Sequence, residues 1–223
     1  MSTSLLDRSP LRTLAATAAA VGVAVATTAA AYPRARHWGR TFGATAAEVA
    51  ATLEGDSFVP DADAVTTRAV DVAAPPSAVW PWVAQLGQDR GGFYSYDALE
   101  NLAGCDIHSA DHVEPAWQDV RVGDPFRLHP DLALSVALVE PPHALVALGR
   151  APSAEEAAVP FDFSWAFVLR PGPLGTRLVV RERYAYLTPW AAAVVEPASW
   201  VSLLMTERML RGIRDRAERS ATT

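Results

Sequence analysis

The chain is short of cysteine, of repeats and of signature motifs, and each shortage removes a class of function. Cys105 is the single cysteine among 223 residues. That excludes an intrachain disulfide and any zinc site built on cysteines, so stability must come from packing. No G-x-S-x-G elbow, P-loop or G-x-G-x-x-G fingerprint occurs. Hydrolase, nucleotide and dinucleotide readings lose their support, and no cofactor is expected. Basic residues are the minority, 19 against 25 acidic ones for a net charge of −6. Arginines scattered among acids do not build a nucleic-acid platform, so no nucleic-acid partner is expected.

Apolar material is abundant. Half the residues are hydrophobic and a fifth are charged, enough for a substantial core and too little charge for wholesale disorder. Residues 1–33 form an N-terminal apolar segment. Thr13 to Tyr32 carries no charge, with Arg8 and Arg12 before it and Arg34, Arg36 and Arg40 after it. As a helix it reaches roughly 30 Å, a bilayer's hydrocarbon thickness. The expectation is a single anchor in the cell membrane through residues 13–32, with its side undetermined. Leu14 and three valines are its only strong apolar residues, and Ala29 to Ala31 offers an A-x-A site. Secretion after signal cleavage is therefore the alternative, with a soluble Ala-rich helix third. Residues 34–64 read as a linker with one short helix, because Thr45 and Glu48 form a capping-box pattern and Gly55 stops it.

Residues 65–219 read as a single domain, followed by a tail at 220–223. Val65 to Val72 suits a strand, and Pro75 and Pro76 open a helix that Gly87 closes. Leu99 and Leu102 suit a second helix ending at Gly104, and Asp106 to Gln118 has no period and reads as a long connection. Five strand-like runs come next between tight turns, which makes neighbours antiparallel. Leu132, Leu134, Val136 and Leu138 share one face by strict alternation. So do Phe161, Phe163, Trp165, Phe167 and Leu169, and likewise Leu178, Val180, Glu182, Tyr184 and Tyr186. Pro197 opens a final helix whose Val201, Leu204, Met205, Met209 and Ile213 form one stripe. The fold class is α+β: a helix-grip in which a curved antiparallel sheet wraps around a long C-terminal helix, preceded by an N-terminal apolar helix.

Three strings carry a resemblance: Ala74-Pro75-Pro76-Ser77-Ala78-Val79-Trp80, Gly91-Gly92-Phe93-Tyr94-Ser95-Tyr96-Asp97, and Asp106-Ile107-His108-Ser109-Ala110-Asp111. With the order of elements, they resemble the SRPBCC or START-like helix-grip superfamily, in particular a bacterial polyketide cyclase-like subgroup. The resemblance implies a cavity between sheet and terminal helix that holds an apolar or lipid-like small molecule. An enzyme of cyclase, dehydratase or isomerase type using that cavity is the alternative, and an interaction domain with a filled core is the third.

His108 could act as acid or base, since histidine is the side chain suited to proton transfer near neutral pH, and Glu182 is a carboxylate among apolar neighbours; together they are the catalytic candidates if both face one cavity. For Glu182 the competing role is an ion pair with an arginine of a neighbouring strand or of the segment that covers the cavity. Tyr94, Tyr96, Asp106, Asp111, Phe163, Trp165, Tyr184 and Met205 are the ligand-binding candidates, with packing the competing role for the tyrosines and loop-fixing hydrogen bonds for the aspartates. His108 and His112 would share a metal if they lay one turn apart on a helix. No periodicity establishes that helix, and the resembled subgroup more often has Arg at the position of His112, so no metal site is expected. Oligomeric state is not legible.

Overall fold

The structure, a computed structural model, describes residues 30–150 and 159–222. The expected apolar helix at 13–32 lies almost wholly outside these residues. Backbone over residues 30–40 is helical (α1). Among the described residues no helix is long and apolar enough to cross a membrane. Two compact units divide the chain at Gly39 and Arg40, and the second carries the whole sheet.

Six antiparallel strands form that sheet: β1 (Ala64–Val72), β2 (Pro125–His129), β3 (Leu132–Glu140), β4 (Ala144–Gly149), β5 (Phe161–Gly172) and β6 (Gly175–Tyr186). Strands β2 to β6 run as a meander, and β1 closes onto the last strand, giving the order β1-β6-β5-β4-β3-β2. Helices α3 (Pro76–Ala84) and α4 (Asp97–Leu102) connect β1 to β2, and α5 (Ala191–Ala221) ends the domain. At 1.5 Å per residue α5 is roughly 45 Å long, more than the span of the sheet it packs against. Its start lies six residues before the expected Pro197. That proline sits inside the helix without a donor for the preceding turn, a loss tolerated where buried Ala191 and Val195 fix the first turns.

The inner face of the sheet, α3 and the second half of α5 share the main core, in which Trp82, Leu86, Phe126, Phe167, Leu178, Met209 and Ile213 are buried. The aromatic row of β5 faces this side as alternation requires. In β3 the alternation fails. A register shift between Val136 and Leu138 turns Leu138 to the opposite face, against Val146 and Val168, instead of joining Leu134 and Val136. An extra residue in one strand reverses every side chain beyond it, and no residue type announced this one.

That opposite, outer face is covered by the stretch expected to be a linker. From Arg40 it belongs to the same compact unit. Helix α2 (Ala46–Ala50) begins with the anticipated capping box at Thr45 and Glu48. The outward arginines of β6 bind it down. Arg177 makes a two-pronged pair with Glu48, Nε to Oε1 at 2.7 Å and Nη2 to Oε2 at 2.9 Å, which holds that carboxyl at about 2. Buried Arg181 donates to Thr67, to Asp56 and to the carbonyls of Glu48, Val49 and Ala51. Helix-end carbonyls that water would otherwise satisfy are thus satisfied by a guanidinium, whose five-donor fork suits the task.

Candidate functional site

Between the inner face and the first half of α5 lies a pocket of about 390 Å³, lined by Phe93, Ser95, Glu100, Leu128, Phe163, Trp165, Glu182, Tyr184, Val201, Ser202, Met205, Thr206 and Met209. Its size falls in the range of small-molecule sites, and its walls are mainly aromatic and apolar with few polar groups, the usual form of such sites. Phe93, Phe163 and Trp165 pack ring to ring at centroid separations of 5.8 and 6.4 Å, and Phe163 meets Tyr184 at 4.8 Å. The rings form a wall and leave the space open. Two larger clefts, of about 530 and 600 Å³, lie on the outer face and along the β1 edge beside α5. Their lining arginines are already paired with carboxylates or carbonyls, so those clefts present no uncompensated cation to a ligand.

One part of the pocket is polar and closed on itself. Glu182 lies opposite Thr66 in the sheet register, and Arg68, two residues on, is almost fully buried at 1% exposure. Arg68 Nη1 donates to Glu182 Oε1 at 3.3 Å. The Ser202 hydroxyl donates to the same oxygen at 2.6 Å and Thr206 at 3.3 Å. Thr66 and Tyr184 donate to Oε2 at 3.0 and 3.2 Å. Arg68 also reaches the Ser199 carbonyl of α5. The outcome for Glu182 is an ion pair with an arginine of the neighbouring strand. Burial, reinforced by the Glu182 charge, pushes the Tyr184 phenol well above its ordinary value, so Tyr184 remains a neutral donor.

The pocket gathers Phe163, Trp165, Glu182, Tyr184 and Met205 from the sequence candidates. It does not gather His108, Tyr94, Tyr96, Asp106 or Asp111. The His108 side chain is 84% exposed and faces Asp106 at 3.4 Å, so the two catalytic candidates do not meet in one cavity. His112 faces Glu114 at 3.7 Å. These residues lie in irregular backbone and not on one helix. Among the described residues no three His, Cys, Asp or Glu side chains come together as metal ligands. Asp111 pairs with Arg216 at 3.1 Å. Tyr96 precedes the first turn of α4 and is partly exposed.

Tyr94 is a packing residue. It is buried, its hydroxyl donates to the Trp82 carbonyl at 3.1 Å, and the Arg216 guanidinium lies 4.7 Å over its ring. The strings around it stitch the long connection to the helices. Asp97 accepts from the Ser109 amide and hydroxyl, Asn101 exchanges two hydrogen bonds with Ile107, and buried Gln85 bonds His112 and Glu114. The strings from Gly91 to Asp97 and from Asp106 to Asp111 therefore encode loop architecture that sets the position of α4.

That architecture brings in a residue that sequence patterns do not reveal. On α4 the two leucines that suit a helix face solvent, Leu102 at 86% exposure and Leu99 at about half. Glu100 lines the pocket instead. Its Oε2 is buried without a hydrogen-bond partner, as is Trp165 Nε1 on the same wall. Burial, with the Asp97 charge adding, raises the Glu100 carboxyl to about 7. Cys105, just after the helix, is pushed up by burial and by Glu100, the opposite of what activates a thiol. A pattern of leucines three apart points to a buried stripe, and nothing local signals that a six-residue helix is turned by the loop behind it.

No family model matches the chain, and no curated protein matches it. Solved structures that resemble it include a protein from Mesorhizobium loti, at 16% identity over 70% of this chain and 98% of that one with a TM-score of 0.41. A protein from Nitrosomonas europaea matches at 13% identity over 70% and 95% with a TM-score of 0.45. The di-domain ARO/CYC BexL from the BE-7585A biosynthetic pathway matches at 14% identity over 72% of this chain and 50% of that one, with a TM-score of 0.37. The chain stands, on its own geometry, as an α+β domain with a curved antiparallel sheet packed on a long C-terminal helix.

Proposed function

We propose that this domain is a binding module of the START-like helix-grip kind, which takes an apolar or lipid-like small molecule into the pocket between the sheet and α5. One observation carries the reading: an aromatic-walled space of about 390 Å³ whose main polar cluster is already satisfied by Arg68. A ligand's apolar body then gains roughly 25 cal/mol for each Å² it withdraws from water, without breaking the Glu182 network. The neutral fluorophore N-phenyl-1-naphthylamine should bind and brighten, and decanol should displace it. Met205→Trp, which fills the space, should weaken the probe by about tenfold or more, equivalent to about 1.4 kcal/mol. Ala50→Trp, on a cleft of the outer face, should leave it unchanged. Binding that survives Met205→Trp and is lost in Ala50→Trp contradicts the proposal.

The uncharged run at residues 13–32 supports placing the module at a cell membrane through a single N-terminal anchor, close to a source of apolar ligand. After carbonate washing of a membrane fraction, the full-length chain should remain in the pellet. Full-length protein in the supernatant contradicts the anchor, and shortened protein there establishes signal cleavage in its place.

A further inference from the structure

The pocket holds a second carboxyl that the protein does not balance. Glu100 lines it from α4, and its buried Oε2 meets no donor. The groups around it supply no counter-charge. On its own helix stands Asp97, which is committed to Ser109. Cys105 comes after the helix, its amide donating to the Glu100 carbonyl. From β2 come Leu128 in the pocket wall and His129, whose ring lies beside Gly104 and whose Nδ1 faces Asp131. Across the pocket, Tyr184 is neutral and Glu182 already uses Arg68. Among the described residues Glu100 makes no ion pair.

Resting on the reading of this pocket as an apolar-ligand site, we infer that its ligand class is an apolar molecule carrying an amine, whose ammonium group is held by Glu100. The chemistry is dictated by charge. With Arg68 and Glu182 cancelling, an ionised Glu100 leaves one net negative charge in a low-dielectric wall, where an unpaired ion costs more than a paired one. An ammonium restores neutrality and donates to the orphan oxygen. A neutral alcohol supplies only a weaker hydrogen bond, and a carboxylate is repelled. Because the free Glu100 carboxyl sits at about 7, a cation that favours its ionised form binds more tightly as pH rises through that value. The amine itself stays protonated well above it.

The experiment displaces N-phenyl-1-naphthylamine with decylamine, decanol and decanoic acid at about pH 6 and about pH 8, in the wild-type chain and in Glu100→Gln. Decylamine should bind about tenfold more tightly than decanol at the higher pH, and most of that advantage should vanish at the lower pH. Glu100→Gln should remove both the advantage of decylamine over decanol and its pH dependence. A decylamine affinity in the wild-type chain that is flat between the two pH values overturns the inference without recourse to the variant. An amine advantage that survives Glu100→Gln overturns it as well, as does decanoic acid binding tightest. In each of these cases decanol displacement still upholds the pocket. If neither the probe nor any competitor binds, the pocket reading falls and this inference with it.

Discussion

Arg68→Ala is expected to destabilise the domain by about 3–5 kcal/mol, the usual consequence of stripping one partner from a buried ion pair. Both charges lie under the pocket at side-chain exposures of 1% and 4%. Without the guanidinium, Glu182 keeps hydroxyl donors from Thr66, Tyr184, Ser202 and Thr206 but no positive charge. The damage is therefore an uncompensated carboxylate and not only a lost contact. The double substitution Arg68→Met with Glu182→Leu should recover much of the loss, because two apolar side chains of similar volume avoid the desolvation that the pair must overcome. Urea unfolding of the wild type and the two variants measures this. A loss below about 1 kcal/mol in Arg68→Ala would mean that the pair is hydrated and behaves as a surface ion pair, and the description of a closed polar cluster would be wrong.

Gly212→Ala should be the second large loss, about 2–4 kcal/mol, although alanine in a helix interior ordinarily gains close to 1 kcal/mol over glycine. A Cβ at Gly212 would stand 2.3 Å from the Tyr94 carbonyl oxygen and 2.6 Å from the Tyr94 Cβ. Neither neighbour can swing away. Tyr94 holds φ +56°, and its amide and hydroxyl are both engaged, with Ser109 and with the Trp82 carbonyl. The loop that sets α4 and Glu100 is pressed against α5 at this point, so the methyl must separate the two. Thermal unfolding should fall by roughly 5–15 °C. An unchanged or raised midpoint would show that helix and loop are not in contact there.

Much of the fold was legible because it rests on local patterns. The capping box at Thr45 and Glu48, the proline start of α3, the alternation in β5 and β6 and the stripe at Met209 and Ile213 each depend on residues within a few positions of one another. Where the outcome depends on distant partners, the patterns misled. The β3 register shift that turns Leu138 outward is decided by pairing with β4. Val201 and Leu204 continue the α5 stripe in sequence but remain exposed, Val201 in the lining of the open pocket. The docking of residues 40–60 depends on Arg181 and Arg183, more than a hundred positions away.

The site divides in the same way. Phe163, Trp165, Glu182, Tyr184 and Met205 were found because strand and helix periodicity place them on inner faces. Residues chosen for chemical character alone were not gathered there. His108 and Asp106 lie in a loop whose fixed points are Asn101, Asp97 and Gln85, and reactivity in sequence says nothing about the direction in which such a loop turns a side chain. Arg68 reads as one more charged residue in a strand until β1 pairs with β6. Glu100 reads as a helix-surface acid until the loop behind α4 turns it inward.

The proposed function depends on an accessible apolar space between the sheet and α5. A crystal structure of the domain grown with N-phenyl-1-naphthylamine tests it most directly. The naphthyl ring is expected between Trp165 and Met205, with the Arg68–Glu182 pair intact beneath it. Density confined to the outer-face cleft at Arg181 and Arg183, with Phe163, Trp165 and Met205 closed into contact, would contradict it.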